Sequence, residues 1–257
     1  METRSASMAI AADASFFSSI EKETHFYLLR HGQSEGNARR TFQGRMDLPL
    51  AEAGRAQARA VGSWLADKGI GTLFASPLLR AAETARIVAQ VCGLDTEPHL
   101  DDTFVEMDTG LFSGLGYDEA QERHPEIFTS FQGRSWEAVP GAEKADALYA
   151  RAMRAWSLLR ERALSGENAL ACISHSGFIQ WLVRATFGCR TWMPLFSIAN
   201  CGVFELIVAP TRSGLAYLQW RNLNLQAHPD ATELAAANSA RVGQDDPLQV
   251  PASWESQ

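Results

Sequence analysis

The sequence has few cysteines and lacks long apolar runs. Its four cysteines, Cys92, Cys172, Cys189 and Cys201, are widely spaced and include no CxxC pair. In a chain of 257 residues this spacing argues against a disulfide framework and predicts reduced, mostly buried thiols. No apolar run approaches the roughly 20 residues that a membrane-spanning helix needs. The chain is therefore not expected to be an integral membrane protein.

The sequence also lacks an excess of basic residues and a good export signal. Its net charge of -7 argues against a general nucleic-acid-binding protein, because a partner with a phosphate backbone favours a basic surface. The moderately apolar stretch from Met8 to Phe17 is interrupted by Asp13, and only one basic residue, Arg4, precedes it. This pattern matches a secretory signal poorly. We therefore expect a cytoplasmic protein that binds neither nucleic acid nor membrane.

What the sequence does contain is an alternation of apolar runs and helical patterns. Apolar residues at helical spacing predict helices over Glu52 to Lys68, Ser76 to Cys92, Ala142 to Leu164 and Gly177 to Phe187. Short apolar runs predict strands before and between them, at about residues 25–30, 71–75 and 169–174. The alternation predicts an α/β fold, a three-layer sandwich with helices on both faces of a mainly parallel central sheet.

The chain divides into one domain and two extensions. With 46% hydrophobic residues, it can fill a substantial core, and we place a single domain at residues 24–228. Two runs near its end, 202–208 and 215–220, predict a hairpin at a sheet edge. The pattern weakens over residues 111–141, which we interpret as an excursion over the site. Residues 1–23 and 229–257 are predicted to be flexible.

The most informative stretch is the end of the first strand. An apolar run from Phe26 to Leu29 stops abruptly at Arg30, His31 and Gly32. Ligands of α/β sheets bind beyond the carboxyl ends of the strands. A guanidinium fits two phosphate oxygens at once, and a glycine leaves space for backbone to approach a ligand. The stretch suits an imidazole placed next to a phosphate, but the tripeptide alone is better explained by an ordinary strand end with a salt-bridged arginine and a solvated histidine.

Arg80 is predicted to lie near the same rim. It falls in the first turn of a helix that follows a strand and is opened by Ser76 and Pro77. A helix N-terminus attracts anions, and an arginine there adds a full charge. The alternative is a surface arginine that pairs with Glu83.

Three other residues are candidates for the site. His175 follows an apolar strand, as His31 does, and precedes a glycine. Glu106 begins a glycine-punctuated loop from which a carboxyl can reach a cleft. Asn37 carries an amide that can contact a phosphate oxygen, although a turn or cap role explains it as well. Each signal is weak alone, but together they supply two imidazoles, two guanidiniums and an acid.

The motifs around these residues resemble the histidine phosphatase superfamily, also called the phosphoglycerate-mutase-like family. They occur in the family's order: RHGQSEGN from Arg30, FQG from Phe42, SPLLRAAETA around Arg80, EMDTGLFSG from Glu106 and SHSG around His175. Because several motifs recur in order, from about residue 24 to residue 228, the match is specific.

The resemblance implies a role for each candidate. His31 is implied to be the phosphorylated nucleophile, Glu106 the proton donor in preference to Asp108, and the other catalytic residues grip the phosphoryl oxygens. Those other residues are Arg30, Arg80 and His175. Four more residues are implied to line the substrate pocket: Asn37, Gln43, Gly44 and Ser176.

The implied activity is hydrolysis of a phosphomonoester through a phosphohistidine, without a metal or other cofactor. An attacking imidazole must be neutral, and we expect Arg30 and Arg80 to lower the pKa of His31. The other histidines show no metal-ligand spacing such as HxxEH or HxH. They are His25, His99, His124 and His228.

Two alternative functions remain open. A phosphoglycerate mutase would return the phosphoryl group to its substrate, but mutases of this family usually have Glu-Arg-His-Tyr-Gly where this chain has EMDTG from Glu106. A non-catalytic member would only bind a phosphate-containing ligand, but all five core residues are present. A small phosphorylated substrate is expected, while its identity and the oligomeric state are not predicted. Specificity is expected in the 111–141 excursion, whose aromatic and basic residues form either a pocket wall or internal packing: Arg123, Phe128, Phe131, Arg134 and Trp136.

Overall fold

A six-stranded sheet is the centre of the fold in the computed structural model, which describes residues 10–192 and 194–227. The strands are β1 (Thr24–Arg30), β2 (Thr72–Ala75), β3 (His99–Leu100), β4 (Ala169–Ser174), β5 (Gly202–Pro210) and β6 (Ala216–Gln226). Their order across the sheet is β3-β2-β4-β1-β5-β6. Strands β1 to β4 are parallel, whereas β5 runs antiparallel to β1 and β6 antiparallel to β5. The predicted mainly parallel sheet with an edge hairpin is confirmed.

The helices connect the strands. They are α1 (Glu35–Ala38), α2 (Glu52–Leu65), α3 (Leu79–Cys92), α4 (Tyr117–Arg123), α5 (Pro125–Arg134), α6 (Ala145–Leu164) and α7 (Ser176–Thr186). The predicted start of α3 at Ser76 was wrong, because Leu78 is the residue that precedes the first helical turn. Helix α5 was missed. Its opening proline suits a first helical position as well as a loop.

Helices cover both faces of the sheet, as predicted. On β1, Phe26 and Leu28 belong to one apolar cluster with residues of α6 and α7, while Tyr27 and Leu29 belong to another with residues of α2 and α3. Alternate side chains of a strand point to opposite faces, so one run of apolar residues serves both layers. None of the helices in the described ranges is long and apolar enough to cross a bilayer.

The segment before β1 differs from the flexible extension predicted for residues 1–23. Within its described part, Ala12, Phe17 and Ile20 are buried in the main core. The ring of Phe17 lies 5.5 Å from that of Trp156, edge to face. Burial of a large apolar side chain stabilises a fold by roughly 1.5–3 kcal/mol, so these side chains help to hold the segment against the core. Residue 228 and the tail predicted at 229–257 lie outside the described residues.

The 111–141 excursion has a core of its own. It contains α4 and α5 and buries Phe112, Phe128 and Phe131 with few neighbours from the sheet. Phe128 and Phe131 therefore serve packing and are not a pocket wall. Arg123 forms an exposed ion pair with Glu119 at 2.5 Å. The excursion is anchored to the site through Phe42, whose ring packs on those of Phe112, Phe131 and Trp136.

The sheet order places three side chains side by side. Strands β2, β4 and β1 are adjacent and parallel, so their carboxyl ends meet at one rim. Ser76 follows β2, His175 follows β4 and His31 follows β1. Residues that are far apart in the sequence are thus brought together by strand pairing alone.

Candidate active site

His31 is buried and oriented by its own loop. Its Nδ1 lies 2.7 Å from the Gly32 carbonyl oxygen, which only accepts, so Nδ1 carries the proton and Nε2 keeps the lone pair. Burial lowers the pKa of His31 well below its ordinary value, and the charges of Arg80 and Arg30 lower it further. The arginines were expected to cause this shift, but burial is the larger cause. His31 is therefore a neutral imidazole with an unprotonated Nε2.

Arg80 is a buried guanidinium that faces His31. Its Nε donates to His31 Nε2 at 3.3 Å, and its two terminal nitrogens donate to the carbonyl oxygens of Met46 and Gly44 at 2.6 and 2.8 Å. The alternative pair with Glu83 does not form, because Arg55 donates to that carboxylate at 2.6 Å. Backbone carbonyls thus fix the Arg80 fork beside the unprotonated Nε2 of His31.

His175 lies next to His31 with its proton position set by Ser76. The two imidazole centroids are 5.0 Å apart. His175 Nε2 lies 2.8 Å from Ser76 Oγ, which also accepts from the backbone N–H of Leu78 at 3.3 Å. We therefore assign the Ser76 hydroxyl as the donor and His175 Nε2 as the acceptor. In this assignment the His175 proton is on Nδ1. Burial first, and then the charge of Arg80, lower the pKa of His175 well below its ordinary value.

Two buried donors in this group have no partner among the described residues. They are His175 Nδ1 and Arg30 Nε. Arg30 is otherwise fixed by one terminal nitrogen, which donates to the Ile198 carbonyl oxygen at 2.5 Å, and burial lowers its pKa to about 10. Buried donors without partners are costly, so native proteins rarely leave them. An oxyanion between the two histidines and the two arginines would accept hydrogen bonds from both unpartnered donors, His175 Nδ1 and Arg30 Nε.

Glu106 is held at the N-terminus of α7. Its Oε1 accepts from the backbone N–H groups of Met107 and Phe178 at 2.8 and 3.0 Å, and its Oε2 from that of Gly177 at 3.1 Å. A Cβ at Gly177 would lie 2.6 Å from Glu106 Oε1, so this approach requires a glycine. Helix α7 begins at Ser176, directly after His175, and therefore ties the acid to the second imidazole.

Asp108 has a different environment from Glu106. Its Oδ1 accepts from the backbone N–H of Gly110 at 2.8 Å and closes the turn in which both lie. Its carbonyl oxygen accepts from the Glu143 N–H at 3.0 Å. These contacts give Asp108 a structural role in the loop.

Asn37 and Gln43 are joined to the loop of His31 through hydrogen bonds of Ser34 and Asn200. Asn200 was not predicted from the sequence. Asn37 Oδ1 accepts from the Ser34 N–H and from Asn200 Nδ2, each at 3.1 Å, and Asn200 also donates to the His31 carbonyl oxygen at 3.2 Å. Gln43 Oε1 accepts from Ser34 Oγ at 2.8 Å. Asn200 belongs to the loop between α7 and β5, which carries no sequence signal for a site residue.

The interpretation of Gly32 needs correction. It was expected to give a ligand close access to backbone, but a Cβ at Gly32 would lie 2.4 Å from the carbonyl oxygen of Gly54 in α2. The glycine is therefore required by the close packing of α2 against the loop.

Ser76 was also misassigned, because it was expected to begin and cap helix α3. Its position directly after a strand, like those of His31 and His175, was the signal that could have placed it in the site.

Comparison with known proteins fits this arrangement. Residues 26–222 match the family model described as the histidine phosphatase superfamily, branch 1. The chain belongs to this superfamily. The matched range includes all five core residues, Arg30, His31, Arg80, Glu106 and His175.

Curated relatives of the chain include a bifunctional protein and a phosphoglycerate mutase. A bifunctional protein of Mycobacterium tuberculosis is 37% identical over 164 residues, which are 63% of this chain and 43% of that protein. The chain thus spans less than half of this relative's length. A 2,3-bisphosphoglycerate-dependent phosphoglycerate mutase of Methylobacterium radiotolerans is 34% identical over 166 residues, 63% of this chain and 78% of the mutase.

Solved structures share the fold at lower identity. A mycobacterial glucosyl-3-phosphoglycerate phosphatase has a TM-score of 0.67 at 22% identity and covers 79% of this chain and 99% of its own. A phosphoserine phosphatase from Entamoeba histolytica, in complex with phosphoserine, has a TM-score of 0.65 at 23% identity and covers 80% of this chain and 99% of its own. These likenesses confirm the phosphoglycerate-mutase-like fold.

Proposed function

We propose that the chain is a metal-independent phosphomonoester hydrolase that forms a phosphohistidine on His31. The observation that supports this most is the neutral imidazole of His31, whose Nε2 faces Arg80 and lies in the same cluster as His175. A neutral nitrogen nucleophile beside fixed positive groups suits attack on a phosphoryl group, because positioning and electrostatic stabilisation supply most of the catalysis of that reaction.

In the first step, Nε2 of His31 attacks phosphorus and the bond from phosphorus to the ester oxygen breaks. The transferred group bears negative charge on three oxygens, and the guanidiniums of Arg30 and Arg80 stabilise that charge. His175 keeps its Nδ1 proton and donates a hydrogen bond through it to one of the oxygens. The unpaired buried donors Arg30 Nε and His175 Nδ1 support this assignment, since a bound phosphoryl group would satisfy both.

Glu106 supplies the proton that the departing alkoxide needs. In the second step, water attacks the phosphohistidine, Glu106 takes a proton from that water, and inorganic phosphate leaves with His31 regenerated. The Glu106 carboxylate accepts hydrogen bonds from the first amides of α7, the helix that follows His175. These contacts hold the acid beside the proposed phosphoryl site. General acid catalysis of this kind contributes about 10²–10⁴-fold in rate.

Trapping the covalent intermediate tests the proposal. After incubation with a ³²P-labelled phosphomonoester and rapid quenching, the protein should carry label that is stable in alkali and labile in acid, as a phosphoramidate is. The label and the activity should both be lost in His31→Ala. His99→Ala is the matched control, because His99 lies on the exposed edge strand β3. Acid-stable, alkali-labile label, or activity retained in His31→Ala, would overturn the proposal.

A mutase activity is the second candidate, because a phosphoglycerate mutase is among the relatives. The residues after Glu106 argue against it: Met107 is buried in the core, Asp108 closes a turn, and Thr109 is buried beside Ser113. None of them offers a basic or phenolic group to a phosphoglycerate. A coupled mutase assay, run beside phosphate release, distinguishes the two activities, and faster phosphate release supports the hydrolase. A non-catalytic phosphate-binding protein would show vanadate binding but no turnover of any phosphomonoester.

A further inference from the structure

Arg45 lies between two residues of the proposed site, Arg80, which is proposed to bind the phosphoryl group, and Glu106, the proposed proton donor. Its neighbours in the sequence, Gly44 and Met46, are the residues whose carbonyl oxygens hold the Arg80 guanidinium. Its own Nε donates to the carbonyl oxygen of Glu106 at 3.4 Å. The guanidinium of Arg45 is therefore beside the residue that must reach the ester oxygen of the substrate.

The charge of Arg45 is only partly neutralised. Its one carboxylate partner among the described residues is Glu143, at 3.1 Å, and Glu143 is already bound by both Nε and Nη2 of Arg151, at 3.0 and 2.7 Å. One carboxylate thus serves two guanidiniums. The nearby Asp108 carboxylate accepts from the Gly110 N–H instead. The Arg151 side chain is 6% exposed, whereas that of Arg45 is 48% exposed. Arg45 is the member of this network that solvent and substrate can reach.

We propose that Arg45 binds a second anionic group of the substrate, carried by the leaving alcohol. The inference rests on the proposed hydrolase function and names the substrate class. Since Glu106 is proposed to protonate the ester oxygen and Arg45 donates to the Glu106 carbonyl oxygen, we expect the group attached to that oxygen to extend towards Arg45. A guanidinium binds a carboxylate or a phosphate through two parallel hydrogen bonds, so it selects phosphomonoesters that bear such a group. Specificity then resides in the Gly44 to Met46 loop and not in the aromatic core of the 111–141 excursion.

Matched substrate pairs test the proposal. O-phosphoserine and O-phosphoethanolamine differ only in a carboxylate, and fructose 1,6-bisphosphate and fructose 6-phosphate differ only in a second phosphate. The wild type should have a higher kcat/KM for the more anionic member of at least one pair, and the pair that shows it identifies the anion as carboxylate or phosphate. The preference should be roughly 10–100-fold, the usual size for a charge-assisted hydrogen bond.

Arg45→Met removes the charge and keeps the length of the apolar stem. We expect the preference within that pair to fall to less than threefold in this variant. Arg162→Met is the matched control, because Arg162 is 41% exposed, has a carboxylate partner at 3.9 Å and lies at the opposite end of the sheet. The control should keep the wild-type preference. No preference in the wild type, or an equal loss for both members in Arg45→Met, would overturn the proposal.

Binding to His31→Ala separates this proposal from the hydrolase itself. Calorimetry with the same pairs measures the preference without turnover. If no phosphomonoester is hydrolysed but the more anionic member binds roughly 10–100-fold tighter in an Arg45-dependent manner, the hydrolase fails and the anion site stands. If hydrolysis occurs with equal affinities within each pair, the hydrolase stands and the anion site fails.

Discussion

The two sides of the proposed site, one for the phosphoryl group and one for the leaving group, are built differently. On the phosphoryl side, His31, His175 and Arg80 are buried and each is fixed by a hydrogen bond to backbone or to a neighbouring side chain. On the leaving-group side, Glu106 comes from a loop, although its carboxylate accepts from the first amides of α7, and the Arg45 side chain is half exposed. A pocket for the group that all substrates share can be rigid, whereas the part that reads the rest of the substrate lies on loops that tolerate change.

Loss of Arg80 should have the largest effect and break the phosphoryl side. Arg80→Met should lower kcat about 10³–10⁵-fold, the range for an arginine that stabilises a transferring phosphoryl group. Arg80→Lys should not restore activity, because an ammonium cannot hold the Gly44 and Met46 carbonyl oxygens as a fork does. Steady-state rates with a single phosphomonoester measure this. A loss below tenfold would mean that the charge is stabilised elsewhere.

A matched arginine controls for loss of charge. Arg59 is 54% exposed on α2 and has a distant partner in Glu52, at 3.4 Å. Arg59→Met should keep kcat within twofold, since exposed ion pairs contribute about 0–1 kcal/mol to stability. Circular dichroism of each variant shows whether the fold is retained.

Removal of the acid should sharpen the comparison, because its effect depends on the leaving group. Glu106→Gln should lower kcat for alkyl phosphates about 10²–10⁴-fold, and much less for p-nitrophenyl phosphate, whose phenolate leaves without a proton. The slope of log kcat against leaving-group pKa should therefore become steeper. Asp108→Asn is the control and should leave that slope unchanged. An equal loss for all leaving groups would contradict the proton-donor role.

The same comparison explains what the sequence could predict. Strand ends are local features, so Arg30, His31 and His175 could be placed at one rim from apolar runs and the residues that follow them. The α/β layers and the parallel sheet followed from the same alternation. Arg80 was predicted from its place in the first turn of a helix that follows a strand, and Glu106 from its glycine-punctuated loop. Motif order then supported both through a family resemblance.

Other features depended on contacts between distant segments. Asn200 joins His31 to Asn37 from a loop without periodicity. Gly32, in the loop after β1, faces the carbonyl oxygen of Gly54 in α2. The burial of Phe17 in residues 10–23 needs the partner surface of α6. Ser76 has two uses, a helix cap or a partner for His175, and only the register of β2 beside β4 decides between them. Local sequence cannot supply that register.

Substitution of Ser76 should have the smallest effect on kcat. It tests whether the hydrogen bond from Ser76 determines the tautomer of His175. Ser76→Ala leaves His175 Nε2 without its hydrogen-bond donor, so the proton is free to move from Nδ1 to Nε2. One neutral hydrogen bond is worth about 0.5–1.5 kcal/mol, and kcat should fall by roughly tenfold or less. The ¹⁵N chemical shifts of His175 report the tautomer directly: the wild type should show protonated Nδ1 and unprotonated Nε2, and the variant a mixture.

Ser174→Ala distinguishes a change of tautomer from simple loss of stability. Ser174 is as buried as Ser76, and its hydroxyl donates to the Phe104 carbonyl oxygen at 2.7 Å. Both variants should lower the melting temperature by similar amounts, because each loses one buried hydrogen bond. Only Ser76→Ala should shift the His175 signals. If both variants leave them unchanged, Ser76 supports the strand end without setting the proton on His175.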